Sequence, residues 1–142
     1  MTDEEFQRLY AAYKVGDAAQ QENVKNSLAP YRVTNAVLMA AGYGRRLAPI
    51  TDTVPKGLLQ IRGEVLVERQ IEQLIAAGIE EIFLVVGYRK DQFSYLSSEP
   101  HIHIVENPDY CRYNNTSSLY RVLDVLDNTY ICSADNYFTE NV

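Results

Sequence analysis

The stretch AVLMAAGYGRRLAPITDTVPKGLL, residues 36–59, decides the fold. It begins as an apolar strand and enters a turn that contains Gly42 and Gly44. Arg45 and Arg46 follow the turn, and a proline–lysine pair lies further along. Glycine turns of this kind let backbone N–H groups approach an anion, and the fixed cations add positive charge. The stretch therefore predicts a phosphate-binding loop at the end of a buried strand.

The composition is that of an ordinary globular protein. The 142 residues are 46% hydrophobic and 23% charged, with a formal net charge of −6. Nucleic-acid partners usually need a basic face, so the acidic balance argues against them. The acidic, polar N-terminus and the absence of a long apolar run predict no signal peptide and no membrane insertion, hence a cytoplasmic location. Cys111 and Cys132 form no metal-binding spacing and are expected to be reduced thiols.

Residues 1–32 predict a helical N-terminal appendage. Thr2 or Asp3 can cap a first helix that Gly16 ends, and Asp17 can cap a second helix that Pro30 stops. These helices carry too few apolar residues for a core of their own. Whether they pack on the main domain, on a partner or on a further domain is left open.

From Val33 onward strands and helices alternate. The predicted fold class is α/β, a Rossmann-like and mostly parallel sheet with helices on both faces. The predicted strands are Asn35–Ala40, Glu81–Val86, His101–Glu106 and Tyr130–Ala134, with a short extended piece over Leu58–Ile61; the predicted helices run from Val67 to Gly78, over Asp91–Leu96, and from a cap at Thr116 or Ser117 to about Leu126.

Ligands in such folds bind beyond the carboxyl ends of the strands. The Gly42 turn, the Gly87-Tyr88 pair and Asp135 each follow a predicted strand, so we expect them to converge. The glycine turn is neither a dinucleotide fingerprint, because Leu47 holds the third glycine position, nor a P-loop, which needs Gly-Lys-Ser/Thr at the helix start.

The longer pattern GxGxRLxPxT followed by PKGLL, within residues 40–59, resembles the signature of nucleotidyltransferases that make nucleoside-diphosphate sugars and related activated alcohols. Within that family the chain is most similar to bacterial CTP:phosphocholine cytidylyltransferases of the LicC kind. The segments VVGYR (85–89), ENPDYCRYNNTSSLY (106–120) and SADNY (133–137) carry this second likeness. Residues 33–142 would then be the nucleotide-binding part of a nucleotidyltransferase domain. The resemblance also implies that the family's domain continues past Val142, with a second metal-binding carboxylate and the acceptor pocket.

The resemblance implies nucleotidyl transfer from a nucleoside triphosphate, CTP for this branch, to a phosphorylated alcohol such as phosphocholine, with release of pyrophosphate. The alternative is a non-catalytic nucleotide-binding or assembly fragment of the same fold. The cut edge of a parallel sheet would also favour self-association or a completing chain.

The resemblance assigns roles residue by residue. Arg46 would hold the outer phosphates, and Lys56 would lie between the α-phosphate and the attacking phosphate. Asp135 would bind Mg²⁺; the alternative from the residues alone is that it forms an Asx turn. Asn115 and Ser118 would read the base, or else cap a helix, and Tyr88 would line the nucleoside pocket or simply pack. The nucleotide-binding turn comprises Ala40, Ala41, Gly42, Tyr43 and Gly44.

Overall fold

The computed structural model describes residues 1–141. Contacts divide the chain into two compact units, with the division between Arg32 and Val33. In the first unit, helix α1 covers Asp3–Val15 and helix α2 covers Ala18–Leu28, followed by a 3-10 turn at Ala29–Tyr31.

Each helix of the first unit begins with a capping box. Thr2 accepts a hydrogen bond from the backbone of Glu5, whose side chain bonds back to Thr2. Asp17 and Gln20 repeat this reciprocal arrangement at α2. Both predicted caps are therefore confirmed, because each side chain satisfies N–H groups that the first helical turn leaves without partners.

The second unit is built on a four-stranded parallel sheet. The elements are β1 (Asn35–Ala40), β2 (Gln60–Ile61), β3 (Glu64–Val65), α3 (Leu66–Ala76), β4 (Glu81–Val86), β5 (Ile102–Glu106), α4 (Asn115–Tyr120) and β6 (Thr129–Ser133). The order of the strands in the sheet is β5-β4-β1-β6, and a separate antiparallel hairpin pairs β2 with β3.

Strand β1 lies at the centre because both of its faces are apolar. Ala36 and Leu38 belong to the larger core, to which α3 contributes Val67 and Ile71. Val37 points to the opposite face, into a smaller core formed with residues of α4 and the segment after it. Parallel strands covered on both faces read as continuous apolar runs, which is how this strand was predicted.

The prediction for the helix from Thr116 or Ser117 to about Leu126 is wrong in its cap and its length. Asn114, rather than Thr116 or Ser117, caps α4 by accepting from the backbone of Thr116, and the helix ends at Tyr120. A 3-10 turn at Leu123–Val125 replaces the predicted end of the helix, and Leu123 is 52% exposed.

Smaller differences concern element ends. The segment predicted as a helix over Asp91–Leu96 is a 3-10 helix, Lys90–Ser98. The extended piece predicted from Leu58 begins only at Gln60, because a 3-10 turn occupies Lys56–Leu58.

Within residues 1–141, no helix has both the length and the apolar character needed to cross a membrane.

Candidate active site

The turn after β1 requires glycine at position 44. Gly44 has a φ of 74°, in the left-handed region that side chains disfavour. A Cβ there would lie 2.8 Å from Cγ of Lys56 and 3.0 Å from Cγ2 of Thr51. The Thr51 hydroxyl, fully buried, donates to the Gly44 carbonyl at 2.9 Å. The glycine therefore allows the turn to pack directly against the lysine.

Lys56 lies beside the residues that follow β6. A Cβ on the next residue, Gly57, would be in ordinary van der Waals contact with Cβ of Ala134, at 3.4 Å, and with the Ala134 carbonyl oxygen, at 3.5 Å. The two segments are therefore neighbours. Nζ of Lys56 lies 2.6 Å from Oδ2 of Asp135, with side chains 24% and 31% exposed.

Asp135 is held as a carboxylate. Burial pushes the pKa of Asp135 upward, but hydrogen bonds from Lys56 and Ser133 and the charge of Lys56 outweigh it, so this pKa lies below its ordinary value. Both carboxylate oxygens are engaged, one by each partner. The pair is a compact ionic unit near the carboxyl ends of β1 and β6.

Gln70 of α3 fixes the backbone around Asp135. Its amide Nε2 donates to the carbonyls of Ser133, at 3.0 Å, and Asn136, at 2.8 Å. The side chain is only 2% exposed. One buried amide therefore holds the backbone on both sides of the carboxylate.

These residues surround a cavity of about 220 Å³. The volume is below the range of about 300–1,000 Å³ typical of small-molecule pockets, so the cavity encloses only part of a drug-sized ligand. Most of the predicted site residues meet here. The lining residues are Met39, Ala40, Gly42, Gly44, Arg46, Lys56, Gly57, Asn115, Ser133, Ala134 and Asp135.

Four predicted residues lie outside this lining: Ala41, Tyr43, Tyr88 and Ser118. The Ala41 carbonyl accepts from the backbone N–H of Tyr88 at 3.0 Å, and the rings of Tyr43 and Tyr88 lie 4.2 Å apart. The Tyr88 hydroxyl points away to the Thr51 carbonyl, at 2.9 Å. The Gly87-Tyr88 pair thus packs against the glycine turn and does not line the cavity.

Ser118 and Asn115 are placed differently. Ser118 is 3% exposed and accepts from Nδ2 of Asn107 at 3.1 Å. The same amide reaches Oγ of Ser117 at 2.9 Å, so Asn107 ties the start of α4 to the end of β5. Asn115, the first residue of α4, lines the cavity. Of the predicted base-reading pair, only Asn115 therefore faces the cavity.

Three supporting residues were not predicted: Thr51, Gln70 and Ser133. Thr51 closes the GxGxRLxPxT pattern, and Ser133 opens SADNY, so both stood inside quoted motifs without a role. Gln70 lies between Val67 and Ile71 on the buried stripe of α3. A polar residue on such a stripe needs hydrogen-bond partners, and that pattern could have identified it.

The site offers a single carboxylate for a metal ion. Among residues 1–141, no group of three or more His, Cys, Asp or Glu side chains could hold a metal. Mg²⁺ keeps several waters and is commonly bound by one or two carboxylates plus substrate phosphates. Asp135 fits that donor set when a triphosphate completes it, and Lys56 would have to release the shared oxygen.

The arrangement defines a class of chemistry. Arg46 is exposed at the cavity and forms no ion pair within the described chain, which leaves its guanidinium available to an anion. Lys56 and the glycine turn add a second cation and backbone groups at the ends of parallel strands, as phosphate sites require. The chain belongs to the family of the MobA-like NTP transferase domain, whose profile matches residues 36–141.

Two similar proteins are named as cytidylyltransferases. The chain is 49% identical over 105 residues to the 2-aminoethylphosphonate cytidylyltransferase of Lancefieldella rimae, covering 72% of this chain and 43% of that protein. It is 45% identical over 107 residues to the choline-phosphate cytidylyltransferase of Streptococcus pneumoniae, covering 75% and 47%. The solved structure of the CTP:phosphocholine cytidylyltransferase LicC from S. pneumoniae superposes with a TM-score of 0.73 over the same shares of the two chains.

These comparisons confirm the predicted family and, with it, the predicted Rossmann-like α/β fold with a mostly parallel sheet. The chain spans about half the length of the curated relatives it matches.

Proposed function

We propose that this chain binds CTP and carries the cationic half of a cytidylyltransferase site. The reaction would move a cytidylyl group from CTP to a small phosphorylated alcohol such as phosphocholine, or to the corresponding phosphonate, and release pyrophosphate. The observation that supports it most directly is the cavity shared by the glycine turn, Arg46, Lys56 and Asp135. The names of the relatives support cytidine as the base and a phosphorus oxyanion as the acceptor.

The chemistry asks for positioning and charge rather than for a strong base. An acceptor phosphate oxygen attacks the α-phosphorus of CTP, and the bond from that phosphorus to the bridging oxygen breaks as pyrophosphate leaves with the electron pair. The attacking group is already an anion, so the barrier comes from bringing anions together and from charge on the leaving group. Preorganised cations lower both contributions.

Each cation has a role set by its geometry. Arg46 would hold the outer phosphates through its planar guanidinium, whose N–H groups match two oxygens at once. Lys56 would leave Asp135 and place its point charge on the α-phosphate and the incoming oxygen. The glycine turn would give backbone N–H groups to the nucleotide, and Asn115 would meet the base. Mg²⁺, held by Asp135 and the phosphates, would neutralise the triphosphate and polarise the α-phosphate.

The decisive experiment measures CTP binding by calorimetry and pyrophosphate release with Mg²⁺, using CTP and either phosphocholine or 2-aminoethylphosphonate. Lys56→Ala should abolish turnover. Lys90→Ala is the matched control, since Lys90 pairs with Glu106 at 2.6 Å outside the cavity lining and should behave as wild type. Circular dichroism verifies that both variants are folded.

The outcomes separate the hypotheses. Turnover that is lost with Lys56→Ala and kept with Lys90→Ala supports the enzyme. CTP binding without turnover with either acceptor favours the non-catalytic nucleotide-binding alternative for this polypeptide. A chain that binds none of the four ribonucleoside triphosphates would refute both, and tighter binding of a triphosphate other than CTP would correct the base.

A further inference from the structure

Side chains of residues 88–92, the segment that follows β4, form hydrogen bonds with the loop that lies between Arg46 and Lys56. These bonds are called the grip below. The Tyr88 hydroxyl lies 2.9 Å from the Thr51 carbonyl and 3.1 Å from the Asp52 carbonyl, so its proton is shared between them. Arg89 Nη2 donates to the Asp52 carbonyl at 2.6 Å. Gln92 Nε2 donates to the Thr53 carbonyl at 2.9 Å. Three consecutive carbonyls are thus bound by three side chains from one segment.

These bonds connect through the loop to the cavity. Thr51 links the loop to the glycine turn, because its hydroxyl donates to the Gly44 carbonyl at 2.9 Å. The bound loop, residues 51–53, lies between Arg46 and Lys56 in the sequence, only a few positions from each. Since backbone segments this short have little freedom once their middle is fixed, the grip limits where both cations can lie.

The gripping segment is itself held in an uncommon conformation. Arg89 has a φ of 49°, in the left-handed region, although it carries a large side chain. Its Nε donates to the Tyr88 hydroxyl at 3.1 Å, which aims the guanidinium at the loop. Residues persist in such backbone regions only where the surroundings determine them, often near functional sites.

We propose that Tyr88, Arg89 and Gln92 are positioning residues that hold loop 51–53 and, through it, Arg46 and Lys56 in the geometry that receives a triphosphate. The inference rests on the proposed function for its ligand. A site built in advance avoids the entropic cost of ordering its cations when the ligand binds, so the grip favours affinity without touching the nucleotide.

The test compares Tyr88→Phe and Gln92→Leu with wild type. Tyr95→Phe is the matched control, since the Tyr95 hydroxyl bonds Glu68 at 2.5 Å, away from the cavity lining. Amide hydrogen exchange over residues 51–56 is measured without nucleotide. The dissociation constant for CTP is measured well below the Tm of each variant.

Both test variants should speed amide exchange in the loop several-fold. Both should weaken CTP binding about three- to tenfold, the range of one ordinary hydrogen bond. Tyr95→Phe should change neither quantity. Because Gln92 bonds the outer end of the loop, an effect of Gln92→Leu would separate positioning from direct contact with the ligand.

Unchanged loop exchange in both test variants would overturn the proposal. A lower Tm with an unchanged CTP dissociation constant would overturn it too, since it would reduce the grip to a purely structural role. Failure of the wild-type chain to bind CTP would instead refute the proposed function, and the exchange measurement would still decide whether the segment holds the loop.

Discussion

Gly44→Ala should destabilise the fold strongly, whereas Gly42→Ala, two residues earlier, should leave it almost unchanged. Gly44 has a φ of 74°, and a Cβ there would lie 2.8 Å from Cγ of Lys56 and 3.0 Å from Cγ2 of the buried Thr51. A Cβ on Gly42 would meet no atom within 4 Å, and its φ is not among the positive ones. The two substitutions are chemically identical and differ only in the backbone conformation and the surroundings of the glycine.

The magnitude follows from two costs and one gain. An alanine in the left-handed region costs about 1–2 kcal/mol. Overpacking against a neighbour adds about 1–3 kcal/mol, and the fully buried Thr51 has less freedom to move aside than the Lys56 side chain. The lower entropy of the unfolded alanine variant returns about 0.4–1 kcal/mol. The net loss is about 1–4.5 kcal/mol, or roughly 4–18 °C in Tm for a unit of this size.

The assay is urea and thermal unfolding followed by circular dichroism, together with calorimetric titration of CTP. Gly42→Ala should unfold within about 0.5 kcal/mol of wild type. It should nevertheless bind CTP more weakly, because Gly42 lines the cavity and its new methyl group would occupy the space of the ligand. Equal stability losses for the two variants would refute the reasoning about Gly44. Unchanged CTP affinity in Gly42→Ala would refute the approach of the ligand to this turn.

Three further measurements test the site. Because the folded pKa of Asp135 is lowered, its carboxylate stabilises the fold above its ordinary pKa of about 4 and loses that contribution as the pH falls through the lower folded value. The unfolding free-energy difference between wild type and Asp135→Asn should therefore shrink in urea titrations from pH 7 towards pH 3; a constant difference would contradict it. Gln70→Leu should cost about 1–3 kcal/mol in urea unfolding, since it removes the buried side-chain donor to the Ser133 and Asn136 carbonyls, of which, within the described chain, only Ser133 keeps another donor, the Asn136 backbone N–H at 3.3 Å; a neutral variant would mean that other donors replace the amide. Arg46→Gln should weaken CTP binding about tenfold or more in calorimetry, as loss of a charge-assisted hydrogen bond predicts, and should leave Tm unchanged; a lower Tm with full affinity would contradict its role.

The fold was readable from the sequence because its determinants are local. The run Ile82–Val86 is apolar along its length, and the stripe through Val67 and Leu74 has helical spacing, so strand and helix were both assigned correctly. The same reasoning failed after Tyr120. Leu119 and Val122 do face the core, but the backbone leaves the α-helical pattern near Val122, with φ −127° and ψ 18°. Spacing alone does not report that change.

The site was readable only in part, since its contacts join distant parts of the chain. Lys56 and Asp135 were each singled out, but their ion pair spans 79 positions and no local pattern encodes it. Tyr88 was assigned either to the nucleoside pocket or to packing, and the structure shows packing: the side chain is buried against Tyr43, and its hydroxyl reaches the Thr51 carbonyl. Which side of a loop a side chain faces depends on the packed structure rather than on order along the chain.

The ion pair between Lys56 and Asp135 has a consequence for how ligands enter. The ammonium group already neutralises the carboxylate. Under the proposed function, a metal ion at Asp135 or a phosphate at Lys56 would therefore replace a partner that the protein supplies to itself. Either ligand alone would leave one charge of the pair without its partner, which is costly in a partly buried place. A magnesium-bound triphosphate would satisfy both charges, so one internal salt bridge would make the proposed site selective for that complex over either component.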